Sequence, residues 1–230
     1  MESLTIDGLA RQIDSAVLAP NHTAEDVELA CHEAVAYGFA AVKVAPCDVA
    51  MAALWLAGSD VRVGGTVGFP LGHSGLEAKR AEARTCLAAG ADELDIVINL
   101  MAARSHLWDD VQDEIATIRR VAEGKILTVT LECCYLSPAE KIQASELAAG
   151  AGADIVRTST GFGRTGATVE DVTLLSHTVG DVAGIEAAGG IRSFENCLAM
   201  IRAGATRIGT STGAAIIHDF QEARAAYNHA

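Results

Sequence analysis

Six charged residues stand singly inside otherwise apolar runs: Asp14, Lys43, Asp95, Glu132, Arg157 and Glu186. An isolated charge in an apolar strand is costly unless it is paired or used. Side chains along a strand alternate in direction. If each of the six points inward near the end of its strand, two cations and four carboxylates meet as a ring, with Thr66 in the corresponding place on the third strand. Carboxylates beside a lysine and an arginine can move protons, polarise a carbonyl or bind an anion. A lysine there can also act as an amine nucleophile once its pKa falls. The plainer alternative is a buried ion-pair network that only holds the fold together. Charges on six separate strands favour a site, because perturbed ionisable groups gather at functional positions.

A second set of residues suits an oxyanion. The stretch from Ala153 to Thr168 begins as a short apolar strand ending at Arg157, then becomes a loop with Thr158, Ser159, Thr160 and Gly161. A helix is expected to start near Val169, with Thr168 as its N-cap and Asp171 at the third position. Gly189 and Gly190 follow another strand, and Gly209, Thr210, Ser211 and Thr212 end the last one. Small hydroxyl and glycine residues that open helices bring backbone N–H groups to a phosphate. Ordinary tight-turn chemistry is the competing explanation.

Positioning these residues requires strands and helices in alternation. Short Val/Ile/Ala runs predict strands at 12–18, 40–45, 62–67, 93–99, 126–132, 154–158, 183–187 and 207–210. Ala, Leu and Glu at helical spacing predict helices at 24–37, 48–57, 76–89, 108–122, 138–149, 169–178, 194–202 and 213–227. Glycines at 38, 90, 152 and 204 mark helix C-terminal ends. Eight such pairs in 230 residues, without a linker, predict a single (β/α)8 barrel over 1–230 rather than a doubly wound sheet. In a barrel the site lies at the C-terminal ends of the strands, and phosphate often sits after strands seven and eight.

Composition narrows the partners. A formal net charge of −13 argues against nucleic acid and anionic membranes. No run is apolar enough for a membrane span, and the first residues carry no secretory signal pattern, so a cytoplasmic protein is expected. The six cysteines lack metal-ligand and Cys-x-x-Cys spacing and are read as reduced thiols, with Cys133 and Cys134 packed rather than reactive. His73 is read as a solvated loop residue. No metal constellation or dinucleotide fingerprint is present, so no metal and no cofactor are expected. The expected partner is a phosphorylated small molecule, and a homodimer is the commonest assembly.

Nearly end to end, the chain resembles the deoxyribose-phosphate aldolases, Schiff-base enzymes built on a (β/α)8 barrel. The resemblance rests on Ile13-Asp14, Val67-Gly68-Phe69-Pro70-Leu71-Gly72, Gly90-Ala91-Asp92-Glu93-Leu94-Asp95, Leu131-Glu132, Thr158-Ser159-Thr160-Gly161-Phe162, Gly166-Ala167-Thr168-Val169-Glu170-Asp171, Ala188-Gly189-Gly190-Ile191-Arg192 and Arg207-Ile208-Gly209-Thr210-Ser211. The family's imine-forming lysine precedes the Thr-Ser-Thr-Gly-Phe run, where this chain has Arg157. A second lysine, which lowers the pKa of the first, stands two residues before Ala-Gly-Gly, where this chain has Glu186. The family's Asp-His-Thr is Asp14-Ser15-Ala16 here, and its second-strand cysteine is Lys43. A guanidinium stays protonated and forms no imine. Three readings follow: an imine relocated to Lys43, with Asp95 and Glu186 moving protons; acid–base chemistry without an imine, using Lys43, Arg157, Glu186, Asp95 or Asp14; and a non-catalytic phosphosugar-binding or regulatory relative with a structural salt bridge.

Overall fold

Val- and Ile-rich runs with few polar residues need apolar cover on the outside of the sheet, and helices supply it. The computed structural model describes residues 4–228. Its strands are β1 (Ile13–Val17), β2 (Ala41–Val44), β3 (Arg62–Val67), β4 (Glu93–Val97), β5 (Ile126–Thr130), β6 (Ile155–Arg157), β7 (Gly184–Ala188) and β8 (Arg207–Thr210). Each pairs in parallel with the next, and β8 pairs with β1, closing a barrel. The doubly wound alternative is excluded by that closure.

Ten helices are described: α1 (Ile6–Ala10), α2 (Ala24–Tyr37), α3 (Val49–Trp55), α4 (Leu76–Ala88), α5 (Leu100–Arg104), α6 (Trp108–Val121), α7 (Pro138–Gly150), α8 (Val169–Val179), α9 (Phe194–Arg202) and α10 (Gly213–Asn228). Among these, α1 and α5 are additions to the eight expected pairs. Both are single short turns started by side-chain caps, Thr5 accepting from Gly8 N and Asn99 from Ala102 N. Thr168 accepts from Asp171 N at 3.1 Å, so α8 starts where the sequence indicates. Thr23 with Asp26, and Ser137 with Glu140, form capping boxes on α2 and α7. Such a cap contributes about 1 kcal/mol.

The two faces of the sheet differ in kind. Val42, Leu94, Ile96, Leu127, Val129 and Ile208 are fully buried. They alternate with the charged positions and so face the helices. That outer layer is the main apolar core. The inward positions include Asp14, Lys43, Glu93, Asp95, Arg157 and Glu186, all no more than 2% exposed. The barrel interior is thus filled by ion pairs where branched aliphatic residues usually pack.

β5 ends at Thr130, two residues before its expected end. Glu132 lies beyond it in the left-handed region, with φ 54° and ψ 60°, ahead of a 3-10 turn at Cys133–Tyr135. The strand alternation therefore does not govern where Glu132 points. The six cysteines are free. Among the described residues no helix is long and apolar enough to cross a membrane.

Candidate active site

β-strand alternation and the barrel's register bring the inward charges together. Lys43 Nζ lies 2.5 Å from Glu186 Oε2, 3.2 Å from Asp95 Oδ2 and 3.4 Å from Asp14 Oδ2. Arg157 reaches Asp95 Oδ2 at 2.5 Å and Glu186 Oε1 at 3.4 Å, and its Nε donates to Ser159 O at 3.0 Å. Thr130 donates its hydroxyl proton to Asp95 Oδ1 at 2.6 Å. Asp14 turns its other oxygen to Arg207 at 2.5 Å. Arg207 continues to Glu93 at 3.0 Å, and Glu93 accepts from the half-exposed Arg62 at 3.1 Å.

The expected ring at the mouth is therefore a chain that runs down the barrel. It holds four cations, Lys43, Arg62, Arg157 and Arg207, against four carboxylates, Asp14, Glu93, Asp95 and Glu186. Equal numbers of opposite charges are what makes this burial tolerable, since an unpaired ion in a dry interior costs several kcal/mol. Glu132 stands outside the chain. Its carboxylate accepts from the Thr160 hydroxyl and, at 3.3 Å, from Thr160 N, so it clasps the loop after β6. Burial pushes the Glu132 carboxyl above the usual range, against those two bonds.

The electrostatics separate the candidates. Burial works to lower the Lys43 pKa, but Glu186, Asp95 and Asp14 outweigh it, and the net direction is upward. Lys43 is held as an ammonium. Arg157 is likewise held charged, Glu186 and Asp95 overcoming its desolvation. Asp95 is buried too, yet Lys43 and Arg157 hold it below the usual carboxylate range. Burial raises Glu186 above that range, opposed by the same two cations. Glu186 Oε1 is buried without a hydrogen-bond partner. A β-carbon at Gly209 would fall 2.6 Å from that oxygen, so only glycine leaves room for it there.

Above this chain lies a cavity of about 600 Å³ at the C-terminal end of the barrel. Arg157 is the one member of the ion-pair chain that lines it. Of the expected anion-binding residues, Thr160, Gly161, Gly189, Gly190, Gly209 and Ser211 line it. Thr158, Ser159 and Thr212 do not. Thr158 is buried between strands, its hydroxyl accepting from Ala188 N at 3.1 Å. Ser159 is fully buried, and Thr212 bonds back to Thr210 through its N–H at 3.1 Å. Gly189, with φ 88°, is packed so closely that a β-carbon would sit 2.9 Å from the Gly166 α-carbon. His73 is exposed. Among the described residues no group of three or more His, Cys, Asp or Glu is arranged to hold a metal ion.

Arg207, Glu93, Arg62 and Thr130 escaped the sequence reading. Glu93 and Asp95 are two apart on β4, and Arg207 and Gly209 two apart on β8, so alternation carried one step deeper would have found the extension.

The DeoC/LacD family aldolase model matches residues 9–219. A deoxyribose-phosphate aldolase of Thermococcus gammatolerans is 49% identical over 219 residues, covering 94% of this chain and 97% of the other. One from Deinococcus radiodurans is 44% identical over 209 residues, covering 91% and 95%. The structure of the tetrameric deoxyribose phosphate aldolase of Aeropyrum pernix superposes with a TM-score of 0.90 at 33% identity, over 95% of this chain and 93% of that one.

Proposed function

Because the chain belongs to the DeoC/LacD aldolase family, we propose that it binds a phosphorylated sugar or small carbonyl compound at the barrel mouth and acts on it without an imine. The phosphate would lie against the loops at Gly161, Gly189, Gly190, Gly209 and Ser211, all of which line the cavity. Arg157, on the cavity wall beside them, would polarise the substrate carbonyl. Glu186 lies just beneath Gly209 and does not itself line the cavity, so it would take and return the proton on the carbon next to that carbonyl by way of one water, with Asp95 fixing Arg157 and Lys43 holding the balancing charge.

The observation that carries this reading is Glu186 Oε1, a buried carboxylate oxygen without a hydrogen-bond partner under the cavity floor at Gly209. Its raised pKa brings it nearer the operating range of an acid–base catalyst. An imine at Lys43 is disfavoured by the three carboxylates within 3.4 Å of its nitrogen. In a purely structural cluster that oxygen would have only the 3.4 Å ion pair with Arg157 Nε and no hydrogen bond.

The test runs in deuterium oxide with a panel of phosphorylated aldehydes and ketones, including 2-deoxyribose 5-phosphate, followed by proton NMR. Deuterium is expected to enter next to the carbonyl, or the compound to be converted. Glu186→Gln is expected to abolish this, and borohydride to trap no protein adduct. A trapped adduct on Lys43 would overturn the proposal in favour of a relocated imine. Phosphosugar binding without exchange or conversion would overturn it in favour of a binding protein.

A further inference from the structure

The cavity is larger than its anion-binding end. About 600 Å³ is within the range of pockets that enclose drug-sized ligands. The loops after β6, β7 and β8 form one end, with Arg157 at the end of β6 and Arg192 in the loop after β7. The wall next to the β8 loop is built by the loop after β1, the strand that pairs with β8, and by α2, with Leu18, Leu29, Ala30 and Glu33.

The charged lining residues are not equally available. The His22 ring is taken up by Ala19 O at 2.6 Å and Asp48 at 2.9 Å. The Asp26 carboxylate accepts from Thr23 N at 2.7 Å and from the Thr23 hydroxyl at 2.9 Å, capping its own helix. Arg157 is paired with Asp95 and Glu186 and is given to the substrate carbonyl by the reading above. Among the described residues, Arg192 and Glu33 line the cavity without any side-chain hydrogen bond or ion pair. One belongs to the phosphate loops and the other to α2. Leu29, one helical turn before Glu33, lines the same cavity and is 58% exposed. A cavity with an anion-binding end, an apolar stretch and an unpaired carboxylate suits a ligand with the complementary order of groups.

We propose that the substrate carries, beyond its phosphate and carbonyl, a distal arm whose apolar part crosses Leu18, Leu29 and Ala30 and whose cationic end meets Glu33. This rests on the mouth being the anion site described above. Glu33 is then a specificity-determining residue, and an unadorned pentose phosphate fills only part of the cavity. An ammonium is favoured over a hydroxyl because Glu25, Asp26 and Glu28 on the same helix add to the negative field in a protein of net charge −13.

The experiment is calorimetric titration of the full chain with inorganic phosphate, with alkyl phosphates of two to six carbons, and with ω-aminoalkyl phosphates of the same lengths. Affinity is expected to rise with chain length. At the best length the amine should bind about fivefold more tightly than its methyl-ended counterpart, the scale of a partly exposed ion pair. Glu33→Gln should erase that difference. If phosphate binds but no amine gains at any length, or if the gain survives in Glu33→Gln, the distal-arm proposal is overturned while the anion site stands. If neither phosphate nor any phosphate ester binds, the anion site itself falls, and the distal arm with it.

Discussion

Two lysines in this protein are equally buried and electrostatically opposite. Lys79, on α4 outside the barrel, is fully buried and bonds Glu114 and Val97 O, each at 2.7 Å. Burial lowers its pKa, and Glu114, with a smaller contribution from Glu82, does not win it back. Lys43, inside the barrel, faces three carboxylates, which more than reverse the same desolvation. The number of counter-charges, not the depth of burial, sets the direction. The consequence is functional. A lysine tuned toward a free amine sits where no substrate reaches, at the base of the loop around Asn99, whose N–H donates to Glu114 at 2.9 Å. The lysine under the mouth is held charged, and Arg157 beside it is a guanidinium held charged as well.

The largest expected effect comes from inverting the barrel side of this contrast. Arg157→Lys with Glu186→Lys removes the carboxylate nearest Lys43 and adds a cation to the cluster, so amine pKa values fall there. The double variant should gain a borohydride-trappable amine at position 157 and cleave 2-deoxyribose 5-phosphate, whereas each single variant should do neither. A folded but inactive double variant would mean that the pocket, as well as the charges, has diverged. Next in size is Lys43→Met. It strands Glu186 and Asp95 with Arg157 as their shared cation, and urea unfolding should show a loss of about 3–5 kcal/mol. A loss under 1 kcal/mol would show that the network rearranges freely around the gap.

How much of this could be read in the sequence follows from which rules apply locally. Alternation along regular strands located Lys43, Asp95, Arg157 and Glu186, because each lies within a short strand made mostly of apolar residues. The same rule failed for Glu132, because the chain has left β5 and taken a left-handed backbone there. Strand–helix alternation gave the barrel, but α1 and α5 were missed because five residues are too few for a periodic signal. The loop residues at 158–161 illustrate the remaining limit. Thr160 and Gly161 line the cavity, while Thr158 and Ser159 are buried. Composition identifies a hydroxyl-rich turn but not which hydroxyls its neighbouring strands consume. The pairing of Lys79 with Glu114 joins α4 to α6 across 35 residues, and nothing in either helix alone points to it.

A smaller effect is expected outside the barrel. Glu114→Gln leaves Lys79 with Val97 O and an amide, at a cost of about 1–3 kcal/mol. It should fall below the Lys43→Met loss because Lys79, already depressed, can shed its proton and become neutral. If Glu114→Gln proved the more damaging of the two, counter-charge number would not be the deciding quantity.

The finest test titrates the two lysines side by side by lysine-selective NMR. Unfolded lysine titrates near about 10.4. The folded pKa of Lys79 is depressed, so between the folded and unfolded values the unfolded chain holds more protons, and Lys79 makes stability rise with pH through that window. The folded pKa of Lys43 is raised, so its contribution is complete below the unfolded value and is lost as pH climbs toward the folded one. Lys79 should therefore lose its proton before the exposed lysines do, and Lys43 after them. Replacing each with Met should change the slope of stability against pH above about 9 in opposite senses. Lys79→Met should flatten the rise, and Lys43→Met should flatten the fall. Titration of both lysines together with the surface set would mean that water reaches the barrel interior and the α4–α6 seam alike, and that neither environment is dry enough to tell the two apart.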